Sequence, residues 1–248
     1  DAFFNSVGGK DQFDEVSILL DRTDKEDPGS NEEAMASLRV SVKSKNADLV
    51  GKMFSAKMIE LALANYPGFF IGGAVRSGGP VLVYWPALID SKHISETVHF
   101  DGKETTILPT NQLGLEETYY QKQPIDIQPA PSDPSIKMPL GELFGARSGD
   151  KGGCANIGVW AKTENAYSFL NECLTVKKIK ELMPDLAEFQ IDRYELPNIL
   201  SLNFYIHGIL EDGVSSNTRK DGQAKSLGEY LRAKYIEIPK SLIKEKEA

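Results

Sequence analysis

The run Gly145-Ala-Arg-Ser-Gly-Asp-Lys-Gly-Gly153 gathers four glycines, two cations, a carboxylate and a hydroxyl into nine residues. Glycine reaches positive φ and lets a ligand approach the backbone, and successive N–H groups in such a turn can line an anion site. Arg147 offers a planar fork for carboxylate or phosphate, and Lys151 a mobile point charge. Ser148, Gly149, Asp150, Gly152 and Gly153, with Asn156 just beyond, complete the candidate anion-binding set. Asp150 is expected to orient a cation, because a carboxylate repels a bound anion. The spacing matches neither the phosphate-loop nor the dinucleotide pattern. The same residues also fit a glycine-rich hairpin whose charges pair on the surface. The flanking apolar runs, Met138–Phe144 and Ala155–Ala161, predict strands at 138–145 and 155–161.

A second constellation lies near the C-terminus. Leu200, Leu202, Phe204 and Ile206 alternate with polar residues, so Asn203, Tyr205 and His207 share the opposite face of a strand. Arg193 lies on the preceding predicted strand. If the two pair, Arg193, Asn203 and His207 place a cation, an amide and a titratable imidazole together, with His207 as general acid or base. The alternative is the open, solvated side of an antiparallel sheet. Ser215–Lys220 is hydroxyl-rich and precedes a predicted helix. Thr218, Arg219 and Lys225 there could receive an anion near the helix start, or the loop is a cap built on Asp221. Cys154 and Cys173 have no metal-ligand spacing and no disulfide framework. Cys154, beside the glycine run, is either a reactive thiol or a small buried hydrophobe. His93 and His99 stand isolated, Glu116-Glu117 reads as solvated charge, and no serine elbow or triad order is present. No metal site and no cofactor are expected.

These residues need elements to position them. In the first segment, Val16–Leu20 and Leu38–Val42 read as strands, and a helix is expected from about Asp48, its cap, to Asn65 along Val50, Phe54, Met58 and Leu61. Short strands follow at Val81–Trp85, Val98–Phe100 and Thr105–Leu108, the last two joined through Asp101-Gly102. Four prolines within 121–137 predict an extended linker. The expected division is therefore a mixed α/β segment over 1–120, the linker, and a domain over 138–243. Helices at 164–173, 175–183 and 222–234, strands at 189–193, 200–208 and 236–238, and the two around the glycine run give β-β-α-β-β-α-β. This is an α+β, ferredoxin-like sheet with one extra strand. The charged tail, 244–248, is expected to fray or end in a helical turn.

A net charge of −8 over 248 residues argues against general nucleic-acid binding. No apolar run approaches a membrane span. The opening Asp-Ala-Phe-Phe-Asn-Ser is neither a secretory signal nor a Met start, as expected of a processed or partial piece of a longer protein. Two unpaired cysteines suit a reducing compartment, cytoplasm or mitochondrial matrix.

Four blocks in order carry a resemblance. They are Gly145–Gly153 with Ala155–Ala161; Arg193-Tyr-Glu-Leu-Pro-Asn198 with Leu202-Asn-Phe204 and His207-Gly208; Ser216-Asn-Thr-Arg219; and Lys225–Arg232. Together they resemble the C-terminal domain of the acyclic terpene utilisation AtuA family. Leu20–Asp24, Leu38–Val42, Leu61–Gly68 and Tyr84–Leu88 are similar to the end of that family's larger N-terminal domain. The family has Asn or Asp where this chain has Cys154. The resemblance implies a part in catabolism of branched terpenoids such as citronellol and geraniol, beside acyl-CoA carboxylases. The resemblance names a pathway and leaves the reaction open; an anionic, CoA-linked acyl ligand with hydratase or lyase chemistry is expected, or else a non-catalytic module that docks a partner. The partners it implies are the N-terminal portion of the same protein, further copies of the chain, and an acyl-CoA carboxylase.

Overall fold

The computed structural model describes residues 1–62, 67–73, 78–107 and 129–247. The expectations for Glu116-Glu117, and for 121–128 of the proline-rich stretch, lie outside them. The chain divides into two compact units, Asp1–Leu82 and Val83–Ala248.

In the first unit, helix α1 (Ala2–Ser6) is followed by strands β1 (Glu15–Asp21) and β2 (Ser37–Lys43), then helices α2 (Ala47–Val50) and α3 (Lys52–Ala62). The alternation read in sequence sets the hairpin register, with Val16 opposite Val42 and Ile18 opposite Val40. Val16, Val40, Val42, Val50, Phe54 and Met58 pack around buried Phe3, Phe4 and Phe13. The single helix expected from Asp48 is broken at Gly51, which leaves helical geometry. Its cap is Asn46, whose side chain accepts the Asp48 N–H at 3.1 Å. A side-chain oxygen two residues ahead of an orphan N–H is what a cap requires.

The second unit begins with an exposed hairpin, β3 (Glu96–Phe100) and β4 (Lys103–Ile107), turning through Asp101-Gly102 at positive φ. Val81–Trp85 forms no strand. The remaining elements are β5 (Ser135–Pro139), β6 (Gly145–Lys151), β7 (Cys154–Trp160), α4 (Glu164–Cys173), α5 (Val176–Leu182), β8 (Ile191–Leu196), β9 (Ser201–Ile206), α6 (Leu227–Arg232), β10 (Tyr235–Pro239) and α7 (Lys240–Glu247). An antiparallel sheet orders them β6-β7-β9-β8, and β10 pairs separately with β5. The α+β order expected from sequence is present.

Two local expectations are corrected. Met138–Phe144 is not one strand. Strand β5 ends at Pro139, and Leu140 and Phe144 are buried together across a helical turn in which the Phe144 N–H meets the Leu140 carbonyl. The glycine run is not a loop: Gly145–Lys151 is strand β6 in continuous register with β7, and only Gly152-Gly153 turns. Of the two outcomes expected for the tail, the helical one is found: it belongs to α7, with Leu242 buried and Ser241 held by Asp133.

One face of the four-stranded sheet is filled. Ala155, Ile157, Val159, Leu202, Phe204 and Ile206 pack with Tyr167, Leu170, Leu174, Ile179 and Leu231 in one buried cluster. Arg193 stands opposite Phe204 and therefore belongs to this face. Its guanidinium donates to the carbonyls of Asn171 at 2.8 Å and Leu174 at 3.1 Å, and meets Glu195 at 2.7 Å. It thus satisfies orphan carbonyls at the C-terminus of α4, where a cation also suits the helix dipole. At the other edge, Ser148 acts as a cap from outside the helix. Its hydroxyl accepts the Gly228 N–H at 2.9 Å and donates to the Lys225 carbonyl at 3.1 Å, pinning α6 to β6. A methyl on Gly228 would meet the backbone of Arg147 at 3.3 Å, a tight contact, so glycine eases the close approach of α6 to β6.

Two stability predictions follow from this packing. Arg193→Met should lower the unfolding free energy by roughly 1.5–3 kcal/mol, since charge-assisted hydrogen bonds are lost over half-buried carbonyls. Gly153→Ala should destabilise by about 1–3 kcal/mol, because its methyl would run into the backbone carbonyl oxygen of Glu211. Urea unfolding midpoints for both variants, with unchanged slopes, test the two.

Candidate functional site

The second face of the sheet is open. Register alone defines its rows. Gly145, Trp160, Ser201 and Leu196 form one row, and Arg147, Gly158, Asn203 and Tyr194 the next. Gly149, Asn156, Tyr205 and Asp192 form a third. Lys151 faces Cys154 in a fourth, and His207 follows directly after β9 at the same end. Side chains at this face are half-buried or exposed, apart from Ser201 and the glycines, which matches a surface left uncovered.

The polar groups of this face meet in pairs. Asn156 donates its amide to the Asn203 carbonyl oxygen at 2.9 Å. His207 Nε2 lies 2.7 Å from Asp192 Oδ2, and Gln190 reaches the other carboxylate oxygen at 3.4 Å. The Tyr205 and His207 rings meet edge to face, with centroids 4.9 Å apart. The Gly208 N–H points at Cys154 Sγ from 3.4 Å. The hydrogen bond from His207, and then that from Gln190, hold the Asp192 carboxyl below the usual range. The hydrogen bond to Cys154, followed by desolvation, pushes the Tyr205 phenol up. No hydrogen bond or ion pair joins Arg147 to a described residue, so its exposed guanidinium is available to a ligand.

The structure brings together Arg147, Gly149, Lys151, Asn156, Asn203 and His207 on one face. It separates others that the sequence had grouped with them. Arg193 is corrected to the opposite, helix-packed face, because strands alternate and it stands across from Phe204. Ser148 and Asp150 also point to the helix side. Asp150 lies 3.8 Å from Lys225 Nζ and does not orient Arg147, while Lys151 donates to its backbone carbonyl. Arg147 and Lys151 stand on the same face, four residues apart along β6. Thr218 and Arg219 sit half-buried in a separate loop, which Asn217 folds by donating to the carbonyls of Gly213 and Gly222. The start of α6 is no free anion site, since Ser148 occupies its Gly228 N–H. Asp221 does not cap α6, whose N-cap is Ser226 without a side-chain bond; its carboxylate instead accepts from the Lys225 and Ser226 N–H groups in the loop just ahead of the helix. Burial would raise its carboxyl, but the Ser226 hydroxyl and these backbone donors hold it down.

Sequence reasoning missed Asp192, the partner that orients His207. Alternation along β8 separates Asp192 from Arg193, but only the pairing of β8 with β9 tells which of the two faces His207. Among the described residues, no three His, Cys, Asp or Glu side chains gather as a metal-binding group. No helix among them is long and apolar enough to cross a membrane.

The Asp192–His207 pair generates a pH prediction. The carboxyl is depressed in the folded state, so its stabilising contribution is present above the unfolded carboxylate pKa of about 4 and is lost as pH falls further. Asp192→Asn should therefore flatten the loss of stability between about pH 5 and pH 3. Thermal melts of both proteins across that range, showing the same acid slope, would reject the pair as a folded-state interaction.

Comparison with known proteins agrees with this architecture. A family model described as the AtuA ferredoxin-like domain matches residues 138–237, the segment carrying the sheet and its open face. A second, described as acyclic terpene utilisation family protein AtuA, matches residues 3–100. No curated protein and no solved structure matches the chain. The two matches follow each other along the chain and cover most of it, and the chain belongs to the acyclic terpene utilisation AtuA family.

Proposed function

We propose that the open sheet face receives a branched, CoA-linked acyl substrate in acyclic terpenoid catabolism. The family sets the context of acyclic terpene utilisation, and the chemistry of the face supplies the rest of the reading. Arg147, exposed and without a partner among the described residues, takes an anionic group of the CoA portion. The Asn156–Asn203 pair keeps one amide N–H₂ free to direct at a thioester carbonyl. His207, oriented by Asp192, moves a proton at the carbon beside that carbonyl, as hydration or its lyase reversal requires. The observation that carries this reading is the 2.7 Å contact of His207 with Asp192 on the same face as Arg147, which has no partner among the described residues. Association with further copies of the chain, with the family's N-terminal portion and with an acyl-CoA carboxylase belongs to the same proposal.

A second reading has its own support. Tyr194, Leu196, Ile199 and Trp160 leave apolar surface exposed at one end of the second unit, as a non-catalytic docking module would.

The two readings separate by ligand dependence. Geranyl-derived acyl-CoA should raise the melting temperature, since a ligand that binds only the native state stabilises it. Arg147→Ala should weaken that binding by roughly 1.5–3 kcal/mol, the value of a charge-assisted hydrogen bond. Its melting temperature without ligand should stay unchanged, because the side chain is exposed. An acyl-CoA that produces no shift with the unaltered protein decides for the docking module.

A further inference from the structure

The functional reading above uses His207, Asp192 and the amide pair but leaves Cys154 idle. Cys154 opens β7 on the open face, and its neighbour Ala155 pairs with Ile206. Continuing that register by one residue sets Cys154 across from His207. A further observation places the sulfur in the same cluster. The Gly208 N–H, directly after His207, approaches Sγ at 3.4 Å, and on the same face the rings of Tyr205 and His207 meet edge to face. His207 commits Nε2 to Asp192, which leaves Nδ1 for a second partner. The charged and titratable groups around the cluster are Lys151 on β6, Asp192 and Tyr194 on β8, and Tyr205 on β9. Cys173, the other thiol, is a built-in control: burial pushes it up, and no imidazole is among the groups that shift it.

We propose that Cys154, His207 and Asp192 form a nucleophilic centre in which Cys154 accepts an acyl group from a thioester. The thioester class rests on the acyl-CoA reading above; the nucleophile itself rests on the cluster. His207 Nδ1 takes the thiol proton as Sγ attacks the thioester carbonyl. The new carbon–sulfur bond forms to Cys154, the bond to CoA sulfur breaks, and the imidazolium returns its proton to the departing CoA thiolate. The products are an acyl-cysteine and free CoA, with no oxidation and no external reactant. The Gly208 N–H directed at sulfur favours the thiolate as it develops. A thiol beside an imidazole oriented by a third group is the general arrangement of an activated cysteine.

The test begins without any acyl-CoA. The unaltered protein is alkylated with iodoacetamide across pH 5–9, approximately the range over which imidazole and thiol titrate, and the labelled peptides are read by mass spectrometry. Cys154 should react about tenfold faster at neutral pH than Cys173, with an inflection below that of an ordinary thiol. His207→Gln should remove that inflection, and Asp192→Asn should shift it. Because the profile of the unaltered protein already decides, a variant that fails to fold does not rescue the idea. A Cys154 profile with the inflection of a free thiol, unmoved in a folded His207→Gln protein, overturns the proposal.

The second arm adds geranyl-derived acyl-CoA. The expected result is either a hydroxylamine-labile mass gain on Cys154 or release of free CoA measured by chromatography, both absent in Cys154→Ser. Thermal stabilisation by the acyl-CoA with neither adduct nor release overturns the acyl-accepting role while leaving the substrate reading intact. A shifted alkylation profile with no acyl-CoA binding supports the nucleophile and rejects the substrate reading.

Discussion

The second unit depends on one constraint: a four-stranded antiparallel sheet must bury one face, and side chains alternate along every strand. Six aliphatic and aromatic residues of β7 and β9 supply that face against α4, α5 and α6. Once they are committed inward, every polar neighbour is committed outward. Asn156, Asn203, Tyr205 and His207 share the open face because Ile157, Leu202, Phe204 and Ile206 cannot. The site is the complement of the core, and no residue in it could change side without a one-residue slip of the whole register.

The same constraint explains why several chemically attractive residues turned out to be structural. Arg193 occupies an inward position, where an unpaired guanidinium would be costly. It is satisfied by the last carbonyls of α4 and by Glu195. Ser148 also points inward at the sheet edge and spends both hydrogen-bonding roles on α6. The outward residue between Ser148 and the glycine that starts β6, Arg147, keeps its cation on the open face, as Lys151 does. Residue type alone did not separate Arg147 from Arg193; the face each one stands on did.

Chemically, the open face is graded along the strands. One end carries Trp160, Leu196 and Tyr194, and the other gathers Cys154, His207 and Asp192, with Arg147 and the two asparagines between.

Much of this was readable in the chain itself. Period-2 alternation located β2 and β9, short apolar runs located β1 and β7, and Thr175 and Pro184 bound α5 in the sequence as cap and stop, because these signals are local and report which residues must be buried. The family resemblance rested on blocks of sequence and also stood. Tertiary structure decided what local signals leave open. A run of glycine and charge is compatible with loop or strand, and only pairing with β7 and the external cap of α6 made Gly145–Lys151 an edge strand. The helix expected over 222–234 shortened to Leu227–Arg232, with the Asp221 side chain accepting the Lys225 and Ser226 N–H groups just ahead of it. Most of all, β8 alternates with Asp192 and Arg193 on opposite faces whichever way it pairs. The register with β9, set by burial of Ile191 beside Ile206, decided that His207 meets a carboxylate and not a guanidinium.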